Sequence, residues 1–238
     1  MTEPLISIED LTAGYGQTPV IHDLNLAIEE GTLCAIVGPN GHGKTTLMKT
    51  ISGLIKVFKG SINFAGQPIT NERVDKIVSR GIVHVPQGDL VYPQMTVRDN
   101  LLMGGYLEDG AKRLEDRLKT VFELFPRLEE RQKQHANSLS GGERRMLGIG
   151  RGLMTDGRVV IIDEPSLGLA PIVIEQIYKV IKLLMSEGRT IIIVEENVTR
   201  VTDLAKVIYL LDTGRFVWNG SPDDLMKNRE LLKTYLGN

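Results

Sequence analysis

The sequence predicts an α/β fold built on a parallel sheet with helices on both faces. Three observations carry that prediction. Apolar runs rich in β-branched residues recur at Leu33–Val37, Ile82–Val85, Val159–Ile162 and Thr190–Val194. They are too short for buried helices and too continuous for a sheet with one wet face. Helical periodicity separates them, most clearly in Val173, Ile177, Val180, Ile181 and Leu184, which follow Pro171 and stop near Gly188. The 238 residues suit one large domain, with 42% apolar and 24% charged residues supplying an ordinary core and surface.

The elements follow in order. Residues 5 to 30 and 60 to 66 show short alternating patterns bounded by Gly and Pro, which predict antiparallel hairpins beside the main sheet. The strand at 33–37 runs into a Gly-rich loop and a helical pattern. From Gly88 to Thr155 the chain turns helical, with Leu114, Leu118, Val121 and Leu124 at helical spacing, and reads as an inserted helical subdomain. The runs at 159–162 and 190–194 return to the sheet, and Ser221 to Leu236 reads as terminal helices.

Composition excludes several classes. The longest stretch without Asp, Glu, Lys or Arg, Gly31 to Gly43, is well short of the ~20 apolar residues of a membrane span. The acidic start MTEPLISIEDL does not suit an export signal. With 28 basic against 30 acidic residues, the chain lacks the overall positive field of a nucleic-acid protein, and nucleic acid is not expected as a partner. Cys34 is the only cysteine, so no internal disulfide or cysteine metal cluster is possible, and in an apolar strand it reads as a core residue. His22, His84 and His135 have no metal-ligand partners at recognisable spacing.

The chemistry begins at Gly38-Pro39-Asn40-Gly41-His42-Gly43-Lys44-Thr45, followed by Thr46. Strand, G-x4-G-K-[ST] and helix together form a Walker A phosphate loop, whose glycines let backbone N–H groups close on phosphate oxygens. Lys44 supplies charge to the β and γ phosphates of ATP, and Thr45 places a hydroxyl on Mg²⁺. A chance match in a chain of this length is on the order of one per cent. Asp163 and Glu164 end another apolar strand, as a Walker B pair requires: Asp163 for Mg²⁺, Glu164 to polarise the attacking water. His42 lies within the loop, but the loop works through its backbone, so its side chain is expected to point into solvent.

Leu139-Ser140-Gly141-Gly142-Glu143 completes the set. Ser140 and Glu143 have capping-box spacing. With both Walker sequences, the motif makes the chain resemble the nucleotide-binding subunits of ABC transporters over essentially its whole length. The resemblance implies a P-loop NTPase (RecA-like) parallel-sheet core with an antiparallel β subdomain and a helical subdomain at about 88–155, all within one domain, 1–238. It implies that Ser140, Gly141 and Gly142 meet the nucleotide of an opposing subunit, that Tyr15 stacks on adenine, and that Gln87 reaches Mg²⁺ and the attacking water. The segment after Gln87, to about Leu101, would meet the permease, with Thr96 as a helix cap.

Glu164-Pro165-Ser166-Leu167-Gly168-Leu169-Ala170-Pro171, Val194-Glu195-Glu196-Asn197, Ser140 to Met146 and Ile149-Gly150-Arg151 are similar to the LivF-type subunits of bacterial branched-chain amino acid importers. That likeness implies an unlike ATPase partner (or a homodimer in isolation), two membrane permease subunits, an extracytoplasmic substrate-binding protein, and a peripheral position on the cytoplasmic face of the inner membrane. Importers of urea, short amides or aromatic acids use similar ATPases. The lack of a long coiled-coil insertion or basic tail speaks against the repair and translation types.

Two positions depart from the general pattern. Glu196 stands where most ABC ATPases carry a switch histidine, although LivF-type chains also lack it. Two unit charges 4 Å apart interact by roughly 4 kcal/mol at an effective dielectric of 20, so an ionised Glu196 is expected to turn away from the γ-phosphate or stay water-separated. Ala170 replaces an aspartate that faces the opposite subunit. Together they raise an alternative: an ATP-responsive structural half of a mixed dimer, with little turnover of its own.

Overall fold

The computed structural model describes residues 3–88, 90–107 and 110–236. The chain opens with β1 (Ile6–Tyr15) and β2 (Thr18–Ile28), then β3 (Leu33–Val37), α1 (Lys44–Ile51), β4 (Val57–Phe64), the short β5 (Gln67–Pro68), α2 (Val74–Ser79) and β6 (Ile82–Val85). Helices α3 (Val97–Gly104), α4 (Ala111–Leu124), α5 (Pro126–Glu130) and α6 (Gly141–Leu153) follow. The chain then passes through β7 (Val159–Asp163), α7 (Pro171–Ser186), β8 (Thr190–Glu195), β9 (Val207–Asp212), β10 (Arg215–Gly220), α8 (Pro222–Lys227) and α9 (Arg229–Leu236).

Two sheets result, ordered β2-β1-β4-β5 and β10-β9-β3-β8-β7-β6. The first is antiparallel. In the second, β9, β3, β8, β7 and β6 run parallel and β10 pairs antiparallel at the edge. All four apolar runs named from the sequence are strands of this sheet. The sequence reading had placed no strand at β9 or β10: β10 mixes polar and apolar residues, whereas β9 is a buried apolar run of the same kind as the others and was overlooked.

The side-chain period of two divides the core between the faces of the sheet. Leu33, Ala35 and Val37 of β3 join Val160 and Ile162 of β7 and Ile191 and Ile193 of β8 in a core shared with α3, α4, α6 and α7. Cys34 and Ile36 join Val159, Ile161, Ile192 and Val194 in a second core with α1 and the antiparallel sheet. Burying both faces explains why these strands read as unbroken apolar runs. Cys34 is a fully buried core thiol, its pKa pushed up by burial.

The helices between β6 and β7 are stopped and started by local chemistry. Thr96 caps α3 in a capping box with Asp99, Pro126 starts α5 at its first turn, and Ser140 caps α6. On α4, Leu118 and Val121 are buried, with Leu114 and Leu124 packed beside them. No helix among the described residues is long and apolar enough to cross a membrane.

Candidate nucleotide-binding and catalytic site

β3 delivers the chain into the Gly38–Gly43 loop at the C-terminal end of the sheet, where open α/β folds place their ligands. A Cβ at Gly38 would stand 2.1 Å from the Leu211 carbonyl oxygen, so only glycine lets the loop cross β9. Gly43, at φ 105°, turns the chain into α1 through a conformation that L side chains rarely adopt.

Lys44 begins α1 and is 3% exposed. Its Nζ donates to the carbonyls of Gly38 at 2.7 Å and Pro39 at 3.0 Å, and to Asn40 Oδ1 at 3.4 Å. The same ammonium lies 3.4 Å from Glu164 Oε1. Asn40, Gly41, Gly43, Lys44, Thr45, Thr46, Gln87 and Glu164 line one cleft of about 230 Å³. The loop residues, the proposed base and the residue after β6 are thus assembled by three parallel strands.

Asp163 ends β7 and is fully buried. Neither carboxylate oxygen has a hydrogen-bond partner. Burial raises its pKa; the neighbouring Thr45 hydroxyl opposes this, Glu164 adds to it, and Lys44 and Arg145 oppose it. A buried carboxylate with only the Thr45 hydroxyl and two nearby cations to support it is costly, and a hard divalent cation with oxygen ligands is what would relieve it. The residues therefore fit Mg²⁺. Among the described residues no group of three His, Cys, Asp or Glu could hold a metal, so such an ion would depend on Thr45, on Gln87 and on phosphate oxygens as well.

Glu164 follows in a left-handed conformation, φ 47°, unusual for a residue other than glycine and typical of strain held at functional sites. Its N–H donates to the Val194 carbonyl at 3.0 Å. Gln87 Nε2 donates to its Oε2 at 2.8 Å. In this state Gln87 is directed at the proposed base, with Lys44 on the other oxygen.

One expectation needs correction, and several other residues now have a place in the fold. His42 does not point freely into solvent: its Nδ1 lies 2.6 Å from Asp212 Oδ1, and its carbonyl accepts the Gly214 N–H at 3.0 Å. The β9–β10 turn holds the imidazole, and no spacing rule in the sequence links positions 42 and 212. Glu196 lies beside the phosphate loop, where its Oε2 accepts a hydrogen bond from Asn40 Nδ2 at 3.1 Å. Ser140, Gly141 and Gly142 stand at the start of α6 and do not line the phosphate-loop cleft. Gly141 lines a neighbouring cleft with Gly88, Arg145, Glu164 and Leu167 to Leu169. The capping box is formed, Glu143 N donating to Ser140 Oγ at 3.3 Å and Ser140 N to Glu143 Oε2 at 2.9 Å. Tyr15 ends β1 with half its surface exposed. Ala170 leaves α7 without a side-chain cap.

The sequence reading also missed a buried carboxylate. Glu195 is 2% exposed and accepts hydrogen bonds from Ser166 Oγ at 3.0 Å and Tyr178 OH at 2.9 Å, with Arg200 alongside. Burial raises its pKa against those partners. It anchors the segment leaving Glu164. Its only signal in the sequence was an apolar strand ending in two glutamates.

Known proteins resemble this chain over most of its length. Residues 21–167 match the ABC transporter family. The chain is 38% identical over 98% of its length to the high-affinity branched-chain amino acid transport ATP-binding protein BraG of Pseudomonas aeruginosa, covering 100% of that protein. It is 35% identical over 95% of its length to a probable branched-chain amino acid transport ATP-binding protein, LivF, of Archaeoglobus fulgidus, covering 96% of it. An ATP-binding cassette of an ABC transporter solved in its ADP conformation superposes with a TM-score of 0.85 at 25% identity, over 100% of both chains. The matches to the family over residues 21–167 and to an ATP-binding relative over nearly the whole chain mean that this protein belongs to the ABC transporter family as an ATP-hydrolysing, ATP-binding subunit.

Proposed function

We propose that this chain binds and hydrolyses Mg-ATP to drive import of branched-chain amino acids through a membrane permease. The observation that carries the reaction is the convergence of Lys44, Gln87, Glu164 and the unpaired Asp163 carboxylate at the phosphate loop. The substrate class rests on the names of BraG and LivF, which this chain matches end to end. The 238 residues act as one nucleotide-binding domain, with residues 88–155 as its helical arm.

In this reading Gly38, Pro39, Asn40, Gly41, His42, Gly43 and Thr46 shape the phosphate cradle, and Tyr15 packs on the adenine. Lys44 exchanges the carbonyls of its own loop for the β and γ phosphates. Thr45, Gln87 and Asp163 hold Mg²⁺, which when bound supplies positive charge at the phosphates. Glu164 takes a proton from the attacking water, and release of Gln87 from its Oε2 frees that oxygen. Ser140, Gly141 and Gly142 present helix N–H groups to the γ-phosphate held by a partner ATPase. That partner is a second, unlike ATPase subunit, and the assembly contains two permease subunits and an extracytoplasmic binding protein, with this chain peripheral on the cytoplasmic face.

Isolating the chain from detergent-solubilised membranes of its host tests the assembly. An unlike ATPase and two permeases should co-purify, and hydrolysis in proteoliposomes should rise with leucine-loaded binding protein. Recovery of the chain alone, or with soluble partners only, would remove the transport reading. Glu196 and Ala170 favour a second reading, in which this chain is the structural half of a mixed ATPase. Hydrolysis measured with the partner's own site disabled separates the two: turnover excludes the structural half.

A further inference from the structure

Arg145 lies on α6, five residues after the Ser140 cap, and is 4% exposed. Its guanidinium donates to three backbone carbonyls. Nη1 donates to Pro86 O at 2.7 Å and to Gly88 O at 2.6 Å. Nη2 donates to Asp163 O at 2.8 Å. The first two carbonyls flank Gln87 on either side, and the third belongs to the residue whose carboxylate has no partner.

One rigid, planar cation therefore grips the main chain on either side of Gln87 and that of Asp163. These residues leave β6 and β7, adjacent strands in which Val85 pairs with Ile162. The sheet fixes Asp163, but Gln87 lies two residues beyond its last paired residue, so its position depends on what holds the loop. An arginine fork suits that task because its donors have fixed directions, whereas a lysine is a single flexible point charge. Gly141 and Arg145 line the same small cleft as Gly88 and Glu164, so the start of α6 and the catalytic loop share one wall.

We propose that Arg145 is a positioning residue that fixes the separation of Gln87 from Asp163, so that the metal-binding half of the site is set by the helix bearing Ser140. The inference rests on the reading that Gln87 and Asp163 hold Mg²⁺. It predicts that loss of the fork weakens metal-dependent nucleotide binding and leaves phosphate-loop binding alone.

The test uses the purified full chain and a fluorescent ATP analogue, first in EDTA and then titrated with Mg²⁺, for wild type, Arg145→Gln and Arg145→Lys. Amide hydrogen exchange at residues 87 and 88 is followed in parallel. Arg145→Gln should bind the analogue in EDTA within twofold of wild type, need at least tenfold more Mg²⁺ for half-maximal tightening, and exchange faster at 87 and 88. Arg145→Lys should need about threefold more Mg²⁺, and it carries the test if the glutamine variant does not fold. An unchanged Mg²⁺ requirement would overturn the proposal, as would an equal loss of affinity with and without Mg²⁺, which is the mark of a general structural prop. A wild-type chain that binds the analogue but ignores Mg²⁺ would instead overturn the metal reading, and this inference with it. A wild-type chain that does not bind the analogue at all would remove the nucleotide reading on which both depend.

Discussion

Gln87 Nε2 donates to Glu164 Oε2 at 2.8 Å, while Lys44 Nζ stands 3.4 Å from the other carboxylate oxygen. The residue proposed to activate water is thus engaged on both sides, by one group suited to the metal and another suited to the phosphates. In the proposed mechanism nucleotide and Mg²⁺ would compete for both partners, which would tie liberation of the base to occupancy of the site. Glu164→Gln should keep ATP affinity within a few-fold of wild type and lower the hydrolysis rate by about 10²–10⁴-fold, the range for loss of a general base. Radiolabelled ATP binding beside a phosphate-release assay checks it; undiminished turnover would remove Glu164 from the mechanism.

The His42–Asp212 pair pins the phosphate loop to the β9–β10 turn. His42→Ala and Asp212→Ala should each weaken ATP binding about fivefold, the worth of roughly 1 kcal/mol for a partly exposed polar pair. Both changes break the shared contact, and each also removes an acceptor for Thr213, so the double variant should lose less than the sum of the two single losses. Isothermal titration of all four proteins decides this, and additive losses would show two independent effects.

Glu196 holds Asn40, whose own oxygen faces Lys44. Glu196→Gln keeps an acceptor for Asn40 and removes a negative charge, so ATP should bind about three- to tenfold more tightly, with a smaller gain for ADP and a difference that shrinks in high salt. Glu196→His should raise hydrolysis in the assembled complex. If the rate does not move, Glu196 is not the limiting feature.

Gly38→Ala should lower the melting temperature and weaken ATP binding by more than tenfold, because the added carbon would meet the Leu211 carbonyl at 2.1 Å and push the loop from β9. Thermal melts and nucleotide titration measure the two effects. Gly41→Ala is the control, since nothing lies within 4 Å of its Cβ position and only the backbone penalty at φ 83° applies.

His84 accepts or donates a hydrogen bond with Ser52 at 3.0 Å, and burial, with Lys49 nearby, lowers its pKa to about 4. Its depressed folded pKa means that the unfolded chain binds the proton first as pH falls. The stability it contributes is therefore full above pH 6.5 and is lost progressively between 6.5 and about 4. The loss should reach about 2–3 kcal/mol across that window, allowing for partial exposure. Melting temperature against pH should be flatter over the same range in His84→Gln.

Much of this molecule was legible in sequence because its signals are local. The loop from Gly38 to Thr45, the Asp163-Glu164 pair and the Ser140–Glu143 capping box each lie within a few residues, where backbone geometry and side-chain reach follow directly from spacing. The four apolar strands were legible for a different reason: burial on both faces demands unbroken apolar runs. β10 was not, since it lies at the sheet edge and alternates exposure along its length, while β9 carries the same apolar signal and was overlooked.

What the sequence by itself determined is the inventory of chemistry: a phosphate loop, two carboxylates at a strand end and a capped glycine-rich helix. The tertiary structure decided which of these groups meet. Gln87 and Glu164 are 77 positions apart, His42 and Asp212 170, and Asn40 and Glu196 156. Such pairs come together only because parallel strands with helical crossovers bring distant segments to one end of the sheet, and Arg145 bridges two of those segments at once. Local spacing carries no record of that register, which is set by the burial of two cores on opposite faces of a single sheet.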